Sequence, residues 1–212
     1  MIKKVGIIAA ALSLALSGAS AMAKVSEDDA NKLGNSLTPL GAEKAGNADG
    51  SIPAWTGGIT ELPAGYTVGD HHPDPYPEDK VLFEITAQNY KEYANFLSEG
   101  QKKLFEAYPD TFRMPVYPTR RSASNSQMVY DATRTNATSA ELLDGGNGLK
   151  GAVMGIPFPI PQNGLEAIWN HILRYRGEAV QRNGGQAAVT TTGDYNVIGF
   201  DEQLLIKYAE EG

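Results

Sequence analysis

The chain has 212 residues, 42% of them apolar, with 23 glycines, 12 prolines, no cysteine and a formal charge of −7. Without cysteine it has no disulfide, thiol nucleophile or thiolate metal site, and its negative charge argues against nucleic acid and anionic lipid surfaces as electrostatic partners. So much glycine and proline predicts many turns around a modest core, enough for one domain or two small ones.

Residues 1–23 place Lys3 and Lys4 before an apolar run from Val5 to Leu16 and end in Ala21-Met22-Ala23, a small-x-small cleavage site. This reads as a secretory signal peptide, cut between Ala23 and Lys24, that delivers the protein to the periplasm. The run is too short to span a bilayer comfortably, so no transmembrane segment is expected once it is removed. Its loss takes two lysines with it and moves the charge from −7 to −9. No cysteine follows the cleavage site to carry a lipid anchor.

Ser26 is an N-cap for a short helix through Lys32, with Glu27, Asp28 and Asp29 at its positive end and Gly34 as its stop. From Asn35 to Pro77 nothing is periodic, and Gly, Pro, Asn and Asp recur every few residues. The stretch 24–80 is therefore expected to be a mostly irregular wrap, pinned by Ile52, Trp55 and Ile59. Residues 81–137 read as helical after a short strand, Val81 to Ile85. Thr86 caps a helix with Tyr90, Tyr93, Ala94 and Leu97 on one face; Gly100 interrupts it, and Leu104, Phe105 and Tyr108 carry the stripe on to Pro109, as two helical pieces or one bent helix. Prolines keep Met114 to Pro118 extended, and a third helix lies within Ser126 to Ala137.

Residues 138–212 read as sheet with one packing helix. Ala140 to Leu143 and Leu149 to Met154 form a strand pair joined by Asp144-Gly145-Gly146-Asn147-Gly148. In Gly155-Ile156-Pro157-Phe158-Pro159-Ile160-Pro161 proline alternates with apolar residues. That segment is extended yet barred from a central strand, because each proline lacks a ladder donor, so it belongs at a sheet edge or over the core. Asn163 with Glu166 makes a box-like helix start, and Leu165, Ile168, Trp169, Ile172 and Leu173 recur at helical spacing until a stop near Gly177. Ala187 to Thr192 and Tyr195 to Phe200 are strands about Gly193-Asp194, with Gln203 to Tyr208 either prolonging the second or turning helical. A hairpin offering Val189, Val197, Ile198, Phe200, Leu204 and Ile206 with nothing to cover them is marginal in water. The chain is accordingly expected to be a fragment that is unstable or self-associating by itself.

Candidate chemistry is sparse. Gly146-x-Gly148-x-x-Gly151 matches a dinucleotide fingerprint in form, but Ala-Val-Met and then prolines follow where a helix must begin, so a hairpin turn is the better reading. Asp70-His71-His72-Pro73-Asp74 has metal-ligand residue types in a cluster too small for a complete site. His171 has no nucleophile elbow to serve. Arg120, Arg121, Arg174 and Arg176 are more simply paired with the surplus acids than with a phosphate or carboxylate ligand. No catalytic, cofactor-binding or metal residue is nominated. Trp55, Phe158, Ile160 and Trp169 either seal a core or line a concave apolar site for a hydrophobic ligand, and both readings stand at this point.

The run from Gly155 to Gly177, GIPFPIPQNGLEAIWNHILRYRG, closely resembles the signature of a family of Gram-negative envelope proteins, domain of unknown function 1329 (DUF1329). The resemblance continues in Leu33 to Asn47, Ile52 to Gly58 and Val116 to Arg121. It implies a fold similar to the lipoprotein carriers LolA and LolB, a curved antiparallel sheet around an apolar cavity, and it brings no established activity. Family members are longer, so it places this chain in their N-terminal part. The expected architecture is α+β: an irregular wrap and helices leading into a curved antiparallel half barrel that is incomplete here. The expected function is that of a periplasmic, non-enzymatic protein that binds or transports a lipid or other hydrophobic molecule, with an envelope transport protein as a candidate partner. The alternative is a structural or adaptor protein that docks onto another envelope protein; a hydrolase is a third reading.

Overall fold

Ser26 accepts a hydrogen bond from the Asp29 amide and opens α1, Glu27–Ala30, at the start of the computed structural model, which describes residues 25–210. The leader and its Ala23–Lys24 junction lie outside the described residues. Three acids fill the first turn of α1 as expected, but the helix ends at Ala30, two residues before Lys32. The described chain gathers into two compact units, one comprising 35–38 and 42–126 and the other the remaining residues.

In the first unit β1, Phe83–Ile85, pairs antiparallel with β2, Met114–Val116, and Glu84 faces Pro115. A two-stranded sheet has only edges, so a proline without a donor is tolerated there. Between the strands run a 3₁₀ helix, Tyr90–Phe96, and α2, Glu99–Ala107. Of the two expected forms, two helical pieces or one bent helix, the first is found, but the break is not at Gly100, which lies inside α2. It falls at Ser98, whose hydroxyl accepts from the Gln101 amide while the Gln101 side chain accepts from the Ser98 amide. That reciprocal cap satisfies two donors that a continuous helix would have no reason to free. Ile85, Leu97 and Phe105 form the core here. Phe105 stacks on Tyr90 with ring centres 5.4 Å apart and meets Phe112 edge-on at 4.7 Å.

The wrap is irregular as expected, with Leu37 bridging Glu43. Its pins are Trp55 and Ile59 but not the side chain of Ile52, which is exposed. The Trp55 amide donates to Lys44 O at 2.8 Å and its indole to Ala123 O at 2.9 Å, and the Ile59 amide donates to Ser122 O at 2.9 Å. Arg121 completes the fastening, its guanidinium reaching the carbonyls of Glu43, Lys44, Ala45 and Pro53. A loop without ladder partners must satisfy its carbonyls somewhere, and one planar five-donor group does so for four of them.

In the second unit α3, Gln127–Ser139, buries Val129, Thr133, Asn136 and Ala137 at helical spacing. After it, β3, Glu141–Leu142, pairs with β4, Leu149–Lys150. β4 stops short of the expected Met154 because Gly151 (φ 72°) and Met154 (φ 59°) turn the backbone through the left-handed region. The proline-rich segment then lies over α3 and not along a sheet edge. A Cβ on Gly155 would come within 2.4 Å of Thr133 Oγ1, and the Ile156 amide donates to that same oxygen at 3.0 Å. α4, Gly164–Ile172, starts at Asn163 as expected and ends well before Gly177.

The closing hairpin is longer than its apolar pattern suggested. β5, Ala179–Val189, and β6, Tyr195–Leu205, pair along eleven rungs from Ala179 opposite Leu205 to Val189 opposite Tyr195. The stretch Gln181 to Gln186 lacks apolar alternation and was missed; β6 holds it by register. Gln203 to Leu205 prolong the strand, and Lys207–Ala209 is a 3₁₀ turn, so both readings of that tail hold in part. Helices with small antiparallel sheets, none closed into a barrel among the described residues, make the chain α+β.

Candidate functional site

Glu166 closes the N-terminal turn of α4, and Asn170 ties the helix to the chain before it. The Glu166 amide donates to Asn163 Oδ1 at 3.0 Å, while its carboxylate takes Asn163 Nδ2 at 3.0 Å and the Gln162 amide at 2.6 Å. One turn on, Asn170 pairs both ways with the backbone of Phe158, accepting from its amide at 2.8 Å and donating to its carbonyl at 2.6 Å. Glu166 is only 7% exposed. The polar side of α4 therefore faces the body of its unit.

At about 100° per residue, Leu165, Ile168 and Ile172 fall on the opposite side. They are 52%, 58% and 44% exposed. The stripe expected to pack inward points outward instead: Asn170 ties the other side of α4 to the Phe158 backbone, and the buried Glu166 carboxylate, satisfied within its own N-terminal turn, is left in place at no cost in unpaired groups. Trp169 lies at the edge of the stripe, half-buried, and its indole donates to Gly146 O at 3.0 Å.

The β5–β6 ribbon is the other apolar surface of this unit. One face carries Val180, Phe200, Ile198 and Leu204, the other Val189, Tyr195, Val197 and Leu205, and most of these are exposed. Gly184 and Gly185 lie across from Phe200 and Gly199 in the middle of the ribbon. A Cβ at Gly184 would stand 2.8 Å from the Phe200 ring, so the ring covers the strand where it has no side chain. Glycines in adjacent rungs are where an antiparallel sheet curls. Beside this waist Arg182 pairs with Glu202 across the strands.

The base of the ribbon is held by polar groups. Met154 N donates to Tyr208 O at 2.7 Å and the Tyr208 hydroxyl to Gly155 O at 2.7 Å. Asn136 donates to Val153 O at 3.0 Å and to Ile156 O at 3.3 Å, accepts from the Val153 amide at 3.2 Å, and touches the Tyr208 hydroxyl at 3.5 Å. Burial pushes the Tyr208 phenol well above its ordinary value, against a smaller opposing effect of the Asn136 hydrogen bond, so it stays a donor. Sequence reasoning missed Asn136, Tyr208 and the glycine waist. An asparagine in a helix interior, where its side chain competes with the backbone, was the available signal for the first.

Of the four residues nominated as core or ligand-lining, Trp55 belongs to the unit of the wrap and Phe158, Ile160 and Trp169 to the other. Phe158 is buried, while Ile160 and Trp169 are half-buried. The Asn170 side chain holds the Phe158 backbone, the Trp169 indole holds Gly146 O, and Trp55 serves as the strut described above. His171 is exposed, and its carbonyl takes a hydrogen bond from Arg174 at 2.7 Å. His72 stacks on Tyr66 with centres 5.4 Å apart, and among the described residues no group of three His, Asp or Glu is placed to hold a metal. Gly146 to Gly151 forms the β3–β4 turn and the exit from it, with no helix behind it.

The family model for the protein of unknown function DUF1329 matches residues 84–212. The chain belongs to this family. A Pseudomonas aeruginosa protein, named only as uncharacterized, is 49% identical over 196 residues, which are 92% of this DUF1329 chain and 43% of the relative. The chain thus spans less than half the length of that relative. No solved structure matches it. Both α4 and the ribbon lie wholly inside the DUF1329 match, so the exposed apolar surfaces belong to elements that the family model covers.

Proposed function

We propose that this DUF1329 protein is an exported, non-enzymatic periplasmic carrier that holds a lipid or other hydrophobic molecule against a curved antiparallel sheet of the LolA and LolB kind, with β5–β6 as one hairpin of that sheet. The observation that carries this reading is a ribbon with apolar side chains on both faces and glycines at its middle. A sheet that is solvated on one side reads apolar on the other side only. A sheet that is apolar on both sides needs two covers, and a carrier supplies protein for one and cargo for the other. Each Å² of apolar surface so removed from water contributes about 25 cal/mol, which lets a passive cavity retain its cargo without chemistry. The leader-like 1–23 supports export.

The test is to isolate the Pseudomonas aeruginosa relative and this chain from periplasm and to apply native mass spectrometry and organic extraction. A bound apolar molecule, released in proportion to protein, is the expected result. Protein that arrives empty with a second polypeptide attached would replace the carrier by an adaptor.

A further inference from the structure

We infer that the outward stripe of α4 is a docking surface for a protein sheet, and that the sheet is supplied by the part of the longer DUF1329 polypeptides that lies outside the match to this chain. The inference goes beyond the carrier reading and does not depend on it. Three hydrogen bonds to chain outside α4 and its cap fix the orientation of the helix: two between the Asn170 side chain and the Phe158 backbone and one from the Trp169 indole to Gly146 O. The helix cannot roll to bury Leu165, Ile168 and Ile172 without losing them. Another surface has to come to the stripe.

The shape of the stripe selects the kind of partner. Small apolar ligands take concave sites, whereas the convex side of a helix is covered by a sheet or helix face. Nine helical residues extend about 13 Å, the width of roughly three strands at about 4.8 Å each. The β5–β6 ribbon has only two. No charge interrupts the stripe, and exposed His171, Arg174 and Arg176 make a polar rim at its C-terminal end, the arrangement of an interface core and its margin. The relative aligned with this region keeps more than half of its own length outside the match, ample for further strands. An uncovered stripe in the complete polypeptide would be an association hazard.

A chain without cysteine permits a direct test. Ile168→Cys and Ile172→Cys place single thiols on the stripe, and Ala167→Cys places one on the same helix off it, at an exposed position. Thiol labelling rates are compared between the 212-residue chain and the same chain joined to the part of the Pseudomonas aeruginosa relative outside the match. Expected is a slowing of about tenfold or more at positions 168 and 172 in the joined protein, with position 167 unchanged, as for a site that opens only by local unfolding. Hydroxyl-radical footprinting of the intact relative, at the residues aligned with α4, gives the same reading if the joined protein folds poorly. Unchanged labelling together with full oxidation in the relative would sink the proposal. So would protection in the short chain that grows with its concentration, which would make a second copy the occupant, or protection only with phosphatidylglycerol vesicles, which would make it a bilayer.

Discussion

Tyr208 shows how much a single side chain carries in this fold. Its hydroxyl closes the carbonyl of Gly155, in a segment already turned through Met154 at φ 59°, and so ties the end of β6 to the chain that covers α3. Tyr208→Phe leaves that carbonyl without its donor and should cost about 1–3 kcal/mol, read as a lower urea midpoint with unchanged slope. Because the phenol's value is raised in the folded protein, its contribution is complete below the ordinary tyrosine range and is lost as pH rises from that range through the raised value. Alkaline absorbance titration of the ten tyrosines should show one late component that the Phe variant lacks. Asp79 is the opposite case. Hydrogen bonds from Arg120, whose guanidinium also lies 4.7 Å from the Tyr76 ring centre, hold its carboxyl below the ordinary 3.8. The clasp is in place above that value and fails as pH falls through the lowered one, so carboxyl NMR of Arg120→Gln should find the Asp79 midpoint moved up toward 3.8.

At the scale of elements, α2 and α4 share a cap and an apolar stripe but use the stripe differently. Phe105 on α2 is 1% exposed between Tyr90 and Phe112, so Phe105→Ala should cost about 3–5 kcal/mol. Trp169 on α4 is half-buried at the rim of an outward stripe, and Trp169→Ala should cost only about 1–2 kcal/mol, chiefly through the orphaned Gly146 carbonyl. Paired thermal melts check the order: a Trp169 variant as damaged as the Phe105 variant would mean that the stripe is already covered. The starts of the first helix and of α4 were legible, Ser26 and Asn163 as caps with acids behind them, while that of α2 at Ser98 was not. Which side of α4 would face the body was not either, because the decision belongs to Phe158 and Gly146, whose backbones take up Asn170 and Trp169 only after the chain has folded back.

For the whole molecule, export is the property that 1–23 foretells, and the protein recovered from periplasm should begin at Lys24; Met1 retained in a membrane fraction would refute it. No helix among the described residues is long and apolar enough to cross a membrane. Net charge, absence of thiols, the irregular wrap, the order of helices and hairpins and the DUF1329 signature were all readable from composition and local pattern, because each depends on residues within a few positions of one another. Tertiary structure alone decided the rest. Arg121 replaces a ladder for four carbonyls of the wrap, eleven rungs of register carry β5 through a stretch with no strand pattern, and the ties of Asn170 to Phe158 and of Trp169 to Gly146 turn the apolar stripe of α4 outward, since each depends on how the chain folds back on itself and not on the local pattern.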